Sequence, residues 1–290
     1  MTANDDPRVW GFYEPTTGSV AYVCADTASR QCAIVDPVWD FDTRRGRTST
    51  ASADALLEHV RAAGLEVAWI LDTHPHADHF SAAVYLQERT GAPRAIGARV
   101  TDVQKLWQEI YGLPSDFPTD GSQWDRLFED GERFPLGELE VQVLFSPGHT
   151  LASATYVVGT AAFVHDTLFQ PDFGTARCDF PGGDARALWH TIQRILALPP
   201  ETRLYTGHDY RPGGRCAMWE SSVAEQRARN IHLRRWPDED GFVRMREARD
   251  RGLPLPELML YALQVNIRGG RLPEPEADGR SYFRIPAGRF

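Results

Sequence analysis

The segment Thr73-His74-Pro75-His76-Ala77-Asp78-His79 places three imidazoles and one carboxylate within six residues, directly after the apolar run Leu65 to Leu71. A solvated loop gains nothing from such crowding. A hard or borderline cation is bound by this mixture of nitrogen and oxygen donors. The competing structural role is a polar loop in which Asp78 caps a helix beginning near His79. Three further candidates stand where other β-rich runs end: His149 in SPGHT, Asp166 in VHDTLF and His208 in TGHDY. Each alone reads as a loop histidine, a turn former or a strand-exit cap. As a set they complete a potential site of five histidines and two aspartates. Gly148 and Gly207 precede two of these histidines, and glycine lets a backbone turn sharply beside a ligand.

The elements that must position these groups alternate between strand and helix. Val20 to Cys24 and Cys32 to Val35 read as hairpin strands, and Asp36-Pro37 ends the second. Ala53 to Ala63 carries Leu56, Leu57 and Val60 on one helical face, with Gly64 as its stop. Leu65 to Leu71 reads as a buried strand and Phe80 to Thr90 as a helix. Val100 to Tyr111 reads as another helix, and Gly112 to Asp125 as a surface loop. Leu139 to Leu144 alternates as a strand. Ala154 to Val158 and Ala161 to His165 form a pair turned at Gly159-Thr160. Asp184 to Leu196 is an amphipathic helix, Arg203 to Thr206 a short strand, and Ser221 to His232 a basic helix. Polar residues gather where strands end, as in layered α/β proteins.

Bulk properties narrow the function classes. The chain has 290 residues, ordinary globular composition and a net charge of −9, which argues against nucleic acid as a partner. A local basic pocket for a small anion is compatible with that charge. No apolar run is long enough to span a bilayer, and Met1 to Pro7 lacks the pattern of a secretory signal, so a cytoplasmic protein is expected. Cys24, Cys32, Cys178 and Cys216 show no CxxC spacing and read as reduced thiols. Cys24 and Cys32 can lie on neighbouring hairpin strands, but two small buried residues is the simpler reading. There is no internal repeat or long linker, so residues 1–290 are expected to form one domain, with a core of about 8–236 and a C-terminal extension at 237–290.

The pattern HxHxDH, then GHT, a later Asp and a final GH, resembles the metallo-β-lactamase superfamily from Val20 to Tyr210. That resemblance implies an α/β fold, an αββα sandwich of two mixed sheets with outer helices and a metal at one edge. Its full ligand pattern implies one site of His74, His76 and His149, a second of Asp78, His79 and His208, and Asp166 as a bridge. Two branches fit. One resembles glyoxalase II, a dinuclear zinc hydrolase of glutathione thioesters, whose metals make hydroxide at neutral pH.

The other branch resembles the persulfide dioxygenases, which oxidise glutathione persulfide with O2 to sulfite and glutathione at one non-haem Fe(2+) per chain. There the iron would take His74, His149 and Asp166, a facial triad with open positions. His76, Asp78, His79 and His208 would be outer partners or second-metal candidates. Gly174 to Phe180 resembles the Gly-Arg-x-Asp-Phe segment of that branch, and His208-Asp209-Tyr210 its His-Asp-Tyr. Val265 to Gly270 resembles its closing Asn-x-Arg-Cys-Gly, except that Gly269 stands in the cysteine's place. The tail also lacks the long helical glutathione-binding domain of glyoxalase II, so the dioxygenase is favoured.

In that reading Arg177 and Arg268 would hold glutathione carboxylates through their planar forks. Tyr210 would line the pocket, and Asp179 would orient Arg177 or Tyr210. The competing role for each arginine is a structural ion pair. Cys178 is either a reactive thiol or a small buried residue. The insertion from Val100 to Asp130 resembles a bacterial branch associated with sulfurtransferase-like domains. A sulfurtransferase partner and a homodimer are therefore compatible. Trp107, Tyr111 and Trp124 would cover the pocket, form a subunit contact or pack the insertion down. A non-catalytic metal-binding or sulfide-sensing protein is a third reading, and no sequence feature favours it.

Overall fold

In a computed structural model, which describes residues 6–289, two six-stranded sheets stack face to face with helices outside. The first half of the chain runs β1 (Arg8–Tyr13), β2 (Val20–Ala25), β3 (Gln31–Val35), β4 (Val38–Asp42), β5 (Arg47–Ser49), α1 (Ala51–Ala62), β6 (Glu66–Leu71), β7 (Phe80–Ser81), α2 (Ala83–Thr90), β8 (Arg94–Gly97), α3 (Val100–Tyr111) and β9 (Arg126–Phe128). Then come β10 (Arg133–Leu136), β11 (Leu139–Phe145), β12 (Ala154–Val158), β13 (Ala161–His165), α4 (Ala185–Leu196), β14 (Arg203–Thr206), β15 (Glu220–Ser222), α5 (Val223–Arg229), α6 (Ile231–Arg235), α7 (Glu239–Asp250) and α8 (Met259–Asn266). The sheets have the orders β1-β2-β3-β6-β8-β9 and β10-β11-β12-β13-β14-β15, and β5-β4-β7 forms a small third sheet. Both large sheets are mixed: β3 pairs parallel with β6, and β13 parallel with β14.

Burial explains the residue choices. β2 is covered on both faces. Tyr22 and Cys24 point into the layer between the sheets, and Ala21, Val23 and Ala25 into the layer beneath α1 and α2. A strand buried on both faces has no need of polar alternation. In β11, Leu139, Val141 and Val143 enter the inter-sheet layer while Glu140 is exposed, which gives the period-two pattern visible in the sequence. On the far side, Leu188, Ile192 and Ile195 of α4 pack on Ala162, Val164 and Leu204.

Several expectations need correction. The helix expected from Phe80 begins at Ala83, because Phe80–Ser81 pairs with β4. The basic helix expected over Ser221 to His232 is two helices. Asn230 leaves helical conformation and caps α6, its side chain accepting from the His232 and Leu233 N–H groups. Cys24 and Cys32 do lie on paired strands, but Cys24 faces Ala33 and Cys32 faces Ala25, and both are buried free thiols. No helix among the described residues is long and apolar enough to cross a membrane. Met1 to Asp5 lies outside the described residues.

The C-terminal segment is woven into the sandwich. Met259, Leu263 and Ile267 pack with Val103, Trp107 and Trp124, and Phe242 and Met245 with α4. α7 also buries an ion pair. Arg246 and Asp250, one turn apart, are bonded to each other at 2% and 4% side-chain exposure. Arg246 Nη1 donates to the Thr175 carbonyl at 3.1 Å, and Asp250 Oδ2 accepts from the Cys178 N–H at 2.9 Å. The pair therefore fastens α7 to residues 175–178. Removing one partner strands a buried charge, so Arg246→Met is expected to destabilise the protein by about 3–5 kcal/mol. The urea midpoint checks this, and Arg246→Met combined with Asp250→Leu should recover most of the loss.

Candidate metal centre

Four strand ends meet at one edge of the sandwich. β6 delivers His74 through Asp72-Thr73, β11 delivers His149 through Ser146-Pro147-Gly148, β13 ends at His165-Asp166, and β14 leads into Gly207-His208. Glycine is needed at two of these exits. A Cβ on Gly148, whose φ is +136°, would lie 2.3 Å from the Leu188 Cα, and one on Gly207 would lie 2.4 Å from Asp166 Oδ1.

The donor atoms converge as three groups, each within 4.8 Å: His74, His149 and Asp166; His76, Asp78 and His79; and Asp78, Asp166 and His208. All seven residues therefore meet in one place. The expected dinuclear grouping of His76 with His74 and His149 is not among these three, since His76 falls with Asp78 and His79. Asp166 joins the first and third groups.

Hydrogen bonds fix which nitrogen of each ligand candidate is bare. Asp36 Oδ2 accepts from the Thr73 hydroxyl at 2.8 Å, so the Thr73 oxygen is left to accept from His74 Nδ1–H at 3.0 Å. The lone pair of His74 Nε2 then points into the site, and this buried atom has no hydrogen-bond partner. His149 repeats the arrangement. Its Nδ1–H donates to the Arg177 carbonyl at 2.9 Å, and its Nε2 faces Asp166 Oδ2 at 3.6 Å. Asp166 Oδ1, His79 Nε2, His76 Nδ1 and His208 Nδ1 are likewise buried without a partner. A buried polar atom left alone costs free energy. The unpartnered atoms of His74, His79 and Asp166 belong to residues of the donor groups above and fit a metal ion, and the two-imidazole, one-carboxylate group fits a redox-active cation as well as zinc.

Electrostatics divides the histidines. Burial drives His74 and His149 toward the neutral form that binds metal. Burial also opposes protonation of His76, but Asp36 Oδ1, 3.0 Å from its Nε2, outweighs it and raises the imidazole to about 9. Against the same opposition, Asp166 and Asp78 raise His208 to about 10, their oxygens lying 3.4 and 3.3 Å from its Nε2. His165 is buried neutral, pushed down to about 3 by burial. Its Nε2 sits 2.9 Å from Ser146 Oγ.

Residues outside the ligand set hold it. Asp36, at φ +50°, serves both Thr73 and His76. Ser19 Oγ donates to Asp78 Oδ2 at 2.7 Å. Asn266 donates to the carbonyls of His76 and His79 at 2.7 and 2.8 Å, pinning the ligand loop to α8. Sequence reasoning missed Asp36 and Ser19. Asp36-Pro37 was legible only as a strand stop, and Asn266 only as part of a closing motif.

The metal residues open onto a cavity of about 1130 Å³, in whose wall lie His79, His149, Asp166 and His208. Tyr210 lines it, with its ring stacked on His208 at 5.3 Å. Arg177 lines it too, but its Nε and Nη2 both bind Asp179 at 2.7 Å and its Nη1 donates to the Pro254 carbonyl at 2.7 Å. Asp179 thus orients Arg177. Arg268 is outside the cavity wall: it lies over the Phe117 ring at 4.9 Å and donates to the Gln264 carbonyl. The structure thus does not bring Arg268 together with the metal residues. Trp107, Tyr111 and Trp124 are buried against α8 and do not line the cavity. Cys178 is buried, and burial pushes its thiol far up, which makes it unreactive.

Asp36→Asn tests this wiring. An amide nitrogen at Oδ2 cannot accept from Thr73, so the Thr73 hydroxyl turns toward His74 and the imidazole shifts its proton to Nε2. Metal affinity should fall about 10- to 100-fold, measured by chelator competition.

Comparison with known proteins agrees with this geometry. A family profile described as the metallo-beta-lactamase superfamily matches residues 15–208. A beta-lactamase hydrolase-like protein of Agrobacterium fabrum is 66% identical over 280 residues, 97% of this chain and 64% of that protein, so this chain spans less than two thirds of that relative. Glyoxylase B2 of Dictyostelium discoideum is 46% identical over 275 residues, 94% of each. The human mitochondrial persulfide dioxygenase ETHE1 is 28% identical over 261 residues, 89% of this chain and 87% of that one. The crystal structure of ETHE1 from Myxococcus xanthus superposes with a TM-score of 0.72 at 27% identity, covering 91% of this chain and 100% of that one. With the profile spanning every ligand from His74 to His208, the chain belongs to the metallo-beta-lactamase superfamily.

Proposed function

We propose that this chain is a persulfide dioxygenase that uses one Fe(2+), held by His74, His149 and Asp166, to oxidise glutathione persulfide. The observation that carries the reading is the asymmetry of the site. His74 and His149 are both fixed with bare, neutral Nε2 atoms that group with Asp166. His208 Nε2 instead lies within 3.4 Å of both Asp78 Oδ2 and Asp166 Oδ2 and can serve them as a hydrogen-bond partner, and His76 Nε2 faces Asp36. Similarity to ETHE1 in sequence and fold supports the same choice.

Bound there, Fe(2+) supplies one-electron chemistry toward O2, which zinc cannot. The chain's own residues do the rest. His208 donates toward Asp166 Oδ2 and keeps that carboxylate oriented. Phe169, Phe173 and Phe180 line the inner cavity and exclude water around the persulfide sulfur. The reaction balances as one persulfide, one O2 and one water giving glutathione and sulfurous acid, which ionises to sulfite. The terminal sulfur is oxidised, O2 is reduced, and the S–S bond breaks with its proton returning to the glutathione thiol.

A second reading, a dinuclear zinc hydrolase of glutathione thioesters, has its own support. The group of Asp78, Asp166 and His208 can hold a second ion, and a relative named glyoxylase B2 is 46% identical.

Metal analysis and oxygen uptake separate the two. Protein purified without oxygen should hold about one iron per chain and consume O2 with glutathione persulfide. About two zincs per chain, with fast lactoylglutathione hydrolysis and no oxygen uptake, would overturn the proposal. His149→Ala should lose the iron. His208→Ala should keep it while turnover falls about 10- to 100-fold, and loss of iron in that variant would count against the triad.

A further inference from the structure

The cavity runs well beyond the metal residues. Its outer half is walled by the β4–β5 hairpin and by residues 253–258, which follow α7. At about 1130 Å³ it exceeds the roughly 300–1,000 Å³ typical of small-molecule sites, so it holds a whole tripeptide conjugate. Six arginines line it: Arg44, Arg45, Arg47, Arg177, Arg246 and Arg249. Three have their charge engaged within the fold. Arg45 pairs with Asp42, Arg177 with Asp179, and Arg246 with Asp250. Among the described residues, no hydrogen bond or ion pair occupies the guanidinium groups of Arg44, Arg47 or Arg249.

The nearby carboxylates do not fill that role. Asp40 accepts from Ser52 at its N–H and hydroxyl, and Asp42 caps its own turn and meets Arg45. Glu257 accepts from the Thr43 hydroxyl, and Glu14 from Thr16 and Thr17. The same cavity is lined by the apolar side chains of Trp39, Phe41 and Leu258. On a chain of net charge −9, guanidinium groups left without a direct ion pair along one cavity wall can receive an anionic ligand group.

We propose that Arg44 and Arg47 of the hairpin, with Arg249 of α7, bind the carboxylates of the glutathione moiety while its sulfur end reaches the metal residues. This rests on the reading that glutathione carries the substrate, and it applies equally to persulfide oxidation and thioester hydrolysis. It replaces Arg268, which lies outside the cavity wall, and Arg177, whose fork is already closed on Asp179. The three arginines are exposed, so each contributes modestly and is screened by salt.

The test uses the full-length, metal-loaded protein and glutathione substrates. Arg44→Ala, Arg47→Ala and Arg249→Ala should each raise KM about two- to fivefold, and the triple variant about tenfold or more, with kcat within about twofold. In the native protein KM should climb with ionic strength, and in the triple variant it should hardly change. Arg47→Lys should recover part of the loss. Calorimetry with glutathione itself gives a readout independent of turnover: binding should weaken by the same factor in the triple variant. Glutathione diethyl ester should bind native and variant proteins alike. If the triple variant binds glutathione as the native protein does, the arginine site is wrong while the glutathione reading stands. If the native protein binds no glutathione, both fall.

Discussion

Everything at this edge follows from one electrostatic constraint: five imidazoles and the Asp166 carboxylate are buried together, with the partly exposed Asp78 carboxylate beside them. Taken out of water, such groups are tolerable only when something replaces their hydration. Partners within the fold cover one side of His74, His76, His79 and His149. Asp36, Thr73, Asp78 and the Arg177 carbonyl each take one nitrogen, and the opposite nitrogen is left for a cation. Part of the scaffold's strained backbone lies here, although Arg30 and Arg211 also have positive φ. Asp36 and His165 both have positive φ without being glycine. Gly148 and Gly207 sit where a Cβ would strike α4 or a ligand oxygen. Strain gathered around a polar cluster is the mark of a site that the rest of the fold holds in place.

The same constraint explains why parts of the chain far apart in sequence are tied together. The ligand loop is pinned from α8 by Asn266, and the 175–178 segment is pinned from α7 by Arg246 and Asp250. That segment supplies the carbonyl that sets the His149 tautomer. The C-terminal fifth of the chain is therefore part of the machinery that aims the ligands. Phe242 and Met245 of α7 and Met259, Leu263 and Ile267 beyond it pack in the same clusters as residues of the preceding chain.

Much of this was legible in the sequence. The ligand set, the glycines beside it and the strands that deliver it are local features: β12, β13, β14 and α3 fall at the residues their patterns predict. The alternation of β11 was readable because only one of its faces is buried. What was hidden depends on distance. Asp36 bonds across 37 residues to Thr73, and Asn266 across 190 to the His76 carbonyl. Neither partner is inferable from spacing. The break at Asn230 was missed because a basic amphipathic run continues through it, and only the Asn230 bond to the Gly174 carbonyl shows why the helix yields there. Arg268 misled for the same reason. Its place in a motif said nothing of the Phe117 ring that occupies it.

Ligand count leaves the identity of the metal open, while the geometry distinguishes two positions within the site. All seven donors of a dinuclear site are present, so the sequence by itself permits two ions. At the second position His76 gives Nε2 to Asp36 and leaves Nδ1 without a partner, and His208 Nε2 lies beside Asp78 and Asp166. At the first position burial favours neutral His74 and His149, and their outward hydrogen bonds choose the tautomer. The proposal of a single iron rests on that first position, where two imidazoles are already set with a bare nitrogen in one group with a carboxylate and the group opens on a large cavity.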